Sequence, residues 1–399
     1  MNQRVPKMLV LASTFPAVSE TFVTDHVLGL ARNGWDVTVA AWHVDDVALA
    51  ALRSKRGYDV RVRAIERPVI ESRVRRIRLA LQCLLPVYAK GAFSGWLRGL
   101  MLEAGVFTDL ARQVRPDVIH AHFGPNGIIA SHAARQMGIP LLVNFHGYDV
   151  TVVPRKRGWE FYRHFFAQAH AIVHSSFVQD RVQTHIGMPI VHRVALGVDT
   201  AVFSAPARAG KWPETLRFLF VGRLIYQKGA HVAIAMLAIF RRHFPDIPPL
   251  LTICGDGPQR GFLQQCAREY GVEDCVSFAG AIPYTNVSEE MEKADILLIP
   301  SVPIANGWEE AFCRVAIEGM AMGLSVIGSE TGGLQETIGS GGNTCRPGSA
   351  MALFHEVERL LVSSNPKKEA KRAVERAREF TIERMNEEYV SVSNQAKTV

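Results

Sequence analysis

Short apolar runs alternate with stretches of helical spacing along nearly the whole chain. Residues 7–12 (KMLVLA) read as a buried strand. Residues 24–33 carry Val27, Leu28, Leu30 and Ala31 at helical spacing and predict a helix closed by Gly34. Residues 37–42, 117–121, 141–145 and 171–174 are further strand candidates, with helical stretches between them. This alternation predicts an α/β fold with a parallel sheet. It breaks at residues 204–215 (SAPARAGKWPET), where Pro206, Gly210 and Pro213 read as a linker. It restarts with strand candidates at 217–221, 250–254, 276–278, 296–299 and 325–327. The expected organisation is a first domain over 1–203, a linker over 204–215 and a second domain over 216–379, each doubly wound. Residues 367–396 read as charge-rich helix.

Composition narrows the class. With 48% hydrophobic and 21% charged residues over 399 positions, a large core is available and disorder is excluded. The longest charge-free stretch, 118–134, holds three histidines and is shorter than the ~20 apolar residues that a membrane span needs. The N-terminal apolar run is short and soon meets Phe15-Pro16 and Glu20, so it reads as a strand and not a signal peptide. The six cysteines form no CxxC pair and no zinc-ligand spacing, which fits free thiols in a cytoplasmic protein.

Charge changes the picture. Residues 51–78 hold ten Arg and Lys against three carboxylates, an excess equal to the net +7 of the whole chain. The segment leads into residues 69–102, where Arg73, Arg75, Arg76 and Arg78 precede Leu81, Leu84, Leu85, Trp96 and Leu100. Two readings fit. A basic amphipathic helix pair could make peripheral contact with an anionic membrane face, or the helices could pack on the first domain with a solvated basic surface. No nucleic-acid recognition motif accompanies the charge.

The second half carries the chemistry. Gly222-Arg223-Leu224 follows a strand candidate directly, and Gln227-Lys228-Gly229 opens the next helix, a placement suited to a diphosphate. Cys254-Gly255-Asp256-Gly257-Pro258 forms a tight turn after another strand. Glu310 and Glu318 stand eight residues apart on what reads as the start of one helix. On an ideal helix that is about 12 Å of rise, too far to share one metal ion but suited to two ends of an elongated ligand. The alternative is a pair of surface glutamates.

These motifs (GRL…QKG, GDGP, E-x7-E-G-M-A, S-E-T-G-G-L-Q-E) appear in order over residues 221–336. Together they resemble the nucleotide-binding domain of glycosyltransferase family 4, retaining enzymes with the GT-B fold. Ser19-Glu20-Thr21-Phe22, His120-Ala121-His122-Phe123-Gly124 and Phe145-His146-Gly147-Tyr148-Asp149 resemble its exopolysaccharide and colanic-acid branch. The resemblance implies two Rossmann-like domains facing across a cleft, with a C-terminal helix near 380–399 packing back on the first. It implies donor binding by Gly222, Arg223, Lys228, Asp256, Gly257, Ala281, Ile282, Glu310, Ala311, Phe312, Cys313 and Glu318. Arg223 and Lys228 would hold the diphosphate, Glu310 the transferred sugar, and Glu318 the ribose. His146 would reach the donor sugar. Ser19, Glu20, His122, Tyr148 and Asp149 are acceptor-side candidates, and Glu336 would brace the Gly332-Gly333 loop. Ala311 and Cys313 stand where relatives commonly carry glycine.

The implied reaction is hexose transfer from a UDP- or GDP-sugar, with no cofactor and no metal, since no D-x-D metal motif is present. The acceptor expected from the basic segment and the Pro154-Arg155-Lys156-Arg157 cluster is a lipid-linked oligosaccharide at the inner membrane face, with a soluble small-molecule acceptor as the alternative. A sugar-nucleotide epimerase or hydrolase on the same fold, or a two-lobed binding protein, would carry the same architecture. No G-x-G-x-x-G follows a predicted strand, which disfavours a nicotinamide dehydrogenase.

Overall fold

A computed structural model describes residues 4–17, 20–56, 60–66 and 95–397. The chain forms two compact units. The first comprises Met1–His174, Val178–Ala195 and Met385–Val399, and the second Ser175–Phe177 and Leu196–Arg384.

In chain order the first part contributes β1 (Lys7–Phe15), α1 (Thr21–Arg32), β2 (Asp36–Val44), α2 (Asp46–Arg56), β3 (Arg61–Ala64), α3 (Gly95–Val114), β4 (Val118–His122) and α4 (Gly124–Met137). There follow β5 (Leu141–Asn144), α5 (Gly147–Arg157), α6 (Glu160–Phe165), β6 (His170–Val173), α7 (Ser176–Arg181) and β7 (Ile190–Arg193). The seven strands form one sheet in the order β3-β2-β1-β4-β5-β6-β7, and every pairing is parallel. Strands of such a sheet are covered on both faces and so read as continuous apolar runs. Met8–Ala12 are all at most 1% exposed. β4 (VIHAH) departs from that pattern, because it buries two histidines among its apolar residues. The strand order reverses between β1 and β4, and ligand crevices of open α/β sheets form at the carboxyl ends of strands at such a switch point.

The second unit contains β8 (Leu216–Val221), α8 (Ala230–His243), β9 (Pro249–Cys254), α9 (Arg260–Glu269), β10 (Val276–Gly280), α10 (Tyr284–Lys293), β11 (Ile296–Ile299) and α11 (Arg314–Ala321). It continues through β12 (Ser325–Ser329), α12 (Leu334–Ile338), β13 (Gly342–Cys345), α13 (Ala350–Ser363) and α14 (Pro366–Ala377). Its six parallel strands run β10-β9-β8-β11-β12-β13, with the switch point between β8 and β11. Phe218, Phe240 and Phe354 are fully buried in its core, each contributing about 1.5–3 kcal/mol of transfer free energy. The final helix, α15 (Ile382–Lys397), counts with the first unit from Met385 onward.

Three details bear on the expected organisation. Residues 367–396 form two helices, because the backbone turns extended at Thr381 to bridge Val198. Residues 196–203, expected with the first domain, belong to the second unit, held by Val198 N donating to Phe380 O at 2.9 Å and Ile382 N to Val198 O at 3.2 Å. The 204–215 linker is anchored to the second unit. Arg208 donates to the carbonyls of Ala294 at 2.7 Å and Met322 at 3.1 Å. Most of the basic segment 69–102 lies outside the described residues, and no described helix is long and apolar enough to cross a membrane.

Candidate functional site

In the second unit the chemistry gathers at the carboxyl ends of β8 and β11. Gly222 N donates to Cys254 O and Leu224 N to Asp256 O, each at 2.9 Å, and Gly255 N donates to Gly280 O at 2.7 Å. The loops after β8, β9 and β10 are thus tied into one ledge. Arg223 is exposed on it. The Asp256 carboxylate serves its own turn, accepting from Gly257 N at 2.8 Å. Ala281 is exposed and Ile282 half-buried on the adjoining loop.

Lys228 ends a short 3-10 turn. Gly229 then takes φ +74°, and a Cβ there would lie 1.8 Å from Pro300 O, so only glycine lets this turn press against the end of β11. Lys228 Nζ donates to Glu310 Oε2 at 2.6 Å, and Ser301 Oγ donates to the same oxygen at 3.1 Å. The ammonium lies 5.6 Å from the Trp308 ring centroid. Burial is the largest influence on Lys228 and opposes its charge, but the Glu310 carboxylate outweighs it and holds the group above its usual range. Burial also pushes the Cys313 thiol up to about 12, with Glu310 adding to the effect, so the thiol stays neutral.

The expected helical spacing of the two glutamates does not hold. α11 begins at Arg314, its N-cap Cys313 is extended (φ −126°, ψ 97°), and Glu310 lies in the loop before it. The loop is held open by the glycine pair. Gly333 N donates to Glu310 O at 2.7 Å. A Cβ on Gly332 (φ +54°) would lie 2.1 Å from that same oxygen. Ala311 O accepts from Ser175 Oγ at 2.7 Å, and Phe312 packs edge-on to Phe380. Glu336 accepts from Ser176 N at 2.8 Å and Ser176 Oγ at 2.5 Å.

Glu318 is buried on α11 with partners that the sequence reading missed. Tyr284 Oη donates to Glu318 Oε1 at 3.0 Å, Arg314 Nη2 donates to Tyr284 Oη at 3.2 Å, and Arg314 Nε stands 3.8 Å from Glu318 Oε1. The i,i+4 step from Arg314 to Glu318 signals their pairing. Nothing local signals Tyr284.

In the first unit the carboxyl ends of β4, β5 and β6 bring His120, His122, His146 and His174 together, with His26 arriving from α1. His26 Nδ1 and His122 Nε2 are 3.1 Å apart, and His122 Nδ1 and His146 Nε2 3.4 Å. His120 Nε2 donates to Asn144 Oδ1 at 2.8 Å, and Asn144 Nδ2 donates to Tyr389 Oη at 2.6 Å. Burial drives all five imidazoles below their ordinary range, His120 and His174 to about 4. Phe123 takes φ +71°, an unusual backbone for a non-glycine residue, and its ring lies 4.4 Å from that of His146.

Two of the acceptor-side candidates are fully enclosed. His122 is 0% exposed with both nitrogens facing other imidazoles, so it braces the cluster. Asp149 is also 0% exposed. Its carboxylate accepts from His146 N at 2.8 Å and Gly124 N at 2.9 Å, tying two loops together. Burial lifts its pKa to about 7 against the pull of those amides. Tyr148 is 54% exposed and remains open to a ligand. Glu20 is half-buried just before α1, and Ser19 lies outside the described residues.

Comparison with known proteins gives a consistent picture. The model for Glycosyltransferase Family 4 matches residues 19–202, and that for Glycosyl transferases group 1 matches residues 204–380. The chain is 27% identical over 341 residues to the putative colanic acid biosynthesis glycosyltransferase WcaL of Escherichia coli K12, covering 81% of this chain and 82% of WcaL. It is 26% identical over 351 residues to the amylovoran biosynthesis glycosyltransferase AmsK of Erwinia amylovora, covering 83% and 84%. Among solved structures, Anabaena HepE in complex with UDP-glucose superposes with a TM-score of 0.73 at 18% identity, covering 98% of this chain and 99% of HepE.

Proposed function

Because the chain belongs to the glycosyltransferases that join a Family 4 first domain to a group 1 second domain, we propose that it transfers a hexose from a UDP- or GDP-sugar onto a lipid-linked oligosaccharide during exopolysaccharide assembly. The observation that carries this reading is the Lys228–Glu310–Ser301 group at the β8/β11 switch point. Arg223 and Lys228 supply fixed positive charge where a diphosphate departs, without a metal ion in the transfer. Glu310 accepts from hydroxyls of the transferred sugar, and Glu318 from those of the ribose. His146 is assigned to the sugar on the family resemblance.

In the proposed step the bond between the anomeric carbon and the phosphate oxygen breaks, and the diphosphate keeps the electron pair. The acceptor oxygen bonds to that carbon on the face just vacated, so configuration is retained. The acceptor's hydroxyl proton passes to the departing phosphate oxygen. The colanic acid and amylovoran relatives support the exopolysaccharide setting. The charge excess of residues 51–78 supports an anionic or membrane-borne acceptor at the inner membrane face. A panel of nucleotide sugars, followed by thermal shift and by nucleoside diphosphate release with and without lipid extract, tests the proposal. Release from one donor only when lipid is added supports it. Release without any acceptor replaces it with a hydrolase, and release with a soluble glycoside alone removes the lipid.

A further inference from the structure

The histidines of the first unit outnumber what the transfer reaction needs. His26, His120 and His122 each offer a ligand nitrogen, and these nitrogens all lie within 4.8 Å of one another. All three residues are 0% exposed. Buried polar atoms are normally hydrogen-bonded, and an exception calls for a physical reason such as a bound ion. Here His26 Nε2 and His120 Nδ1 have no hydrogen-bond partner. The companion nitrogen of His120 is committed to Asn144 at 2.8 Å, and His122 Nδ1 faces His146 at 3.4 Å. An imidazole oriented by a bond on one nitrogen while the other stays available is how metal-ligating histidines are held.

We infer that His26, His120 and His122 bind one divalent transition-metal ion, zinc being the ion chosen here, that fastens α1 to β4. Zinc–nitrogen bonds of about 2.0–2.1 Å at a tetrahedral centre put ligand nitrogens roughly 3.4 Å apart. His26 Nδ1 stands 3.1 Å from His122 Nε2, so the two rings already adjoin. Ligand nitrogens within 4.8 Å of one another have to close by about 1.4 Å at most. Full enclosure makes the ion a structural clasp, outside the transfer chemistry. The nearby His146 and His174 form the outer layer of the cluster, their rings 5.0 Å apart.

The test uses the full chain without an affinity tag. It is incubated with zinc chloride, gel-filtered and assayed for metal by mass spectrometry. About one zinc per chain is expected, falling to background in His26→Gln and His120→Gln. A chelator should lower the unfolding temperature of the wild type and leave that of the variants unmoved. Replacement by cobalt(II) should give the strong visible absorption of a tetrahedral nitrogen site. That measurement needs no variant and decides the matter if the substitutions prevent folding. Wild type at background metal, a variant that keeps its metal, or cobalt bound without tetrahedral absorption each overturns the inference. None of these readouts involves sugar transfer, so they stand apart from the outcome of the glycosyltransferase assay.

Discussion

Replacing Lys228 by Met removes the charge at the centre of the proposed donor site while keeping an apolar stem of similar length. The ion pair it breaks is short, 2.6 Å, with side chains 22% and 9% exposed. Breaking a buried pair from one side costs about 3–5 kcal/mol. The partial exposure of Lys228 and the bond that Ser301 still donates to Glu310 reduce this, giving a stability loss of about 2 kcal/mol. The effect on turnover has a separate origin. Loss of one preorganised donor to developing charge costs about 2.7–4 kcal/mol in the transition state, or roughly 100- to 1,000-fold in kcat. A second variant separates the two effects. Lys228→Met combined with Glu310→Gln leaves no unpaired charge and should regain most of the stability, while turnover stays low. Denaturant unfolding and nucleoside diphosphate release under saturating donor supply both readings. Turnover of Lys228→Met within about threefold of wild type, or recovery of turnover in the double variant, refutes the reasoning.

Other consequences follow from the same geometry. Glu318→Ala should raise the donor KM about 10- to 100-fold with little change in kcat, because ribose is held equally in ground and transition states; initial-rate kinetics checks this, and a fall in kcat alone contradicts it. Gly332→Ala forces a Cβ into contact with Glu310 O at 2.1 Å and strains a φ of +54°, so it should displace the Glu310 loop and lower turnover at least tenfold, read by steady-state assay. Asp149 holds its proton in the folded state up to about pH 7 against an ordinary value of 3.8, so its stabilising contribution is complete below pH 3.8 and is lost as pH rises through 7. Denaturant unfolding between pH 4 and 8 should show Asp149→Asn lacking this loss, with about 1 kcal/mol removed throughout for one amide left without an acceptor.

The sheets were legible where strands are enclosed. The apolar runs at 7–12, 217–221 and 296–299 fall within β1, β8 and β11, because a parallel sheet covered on both faces demands continuous hydrophobicity. Among the edge strands β10 was legible at 276–278, but β3 and β13 were not. β3 (RVRA) sits inside a basic run and β13 (GNTC) is short and polar, and an edge position tolerates both. Glu310 shows how tertiary contacts override a periodic pattern. The spacing of EAFCRVAIE suits a helix, but the bond from Gly333 N to Glu310 O keeps the first four residues out of it. Residues that meet across long separations left no local trace. Asn144 and Tyr389 are 245 positions apart, and Tyr284 reaches Glu318 over 34. His26 and His174 gave no motif of their own, since their meaning arises only when α1 and β6 deliver them to the end of β4.

The division of the chain also sets an order of assembly during synthesis. The second unit is nearly continuous, from Leu196 to Arg384, and all of it has been made before Tyr389 is added. The first unit is started earliest and finished last. Until the segment from Met385 onward emerges from the ribosome, Asn144 lacks its Tyr389 partner and His26 lacks the ring that lies 4.1 Å away. Nascent chains stalled before residue 385 should therefore hold a protease-resistant second unit beside a first unit that is still open to cleavage. The earlier part of the first unit waits for the later.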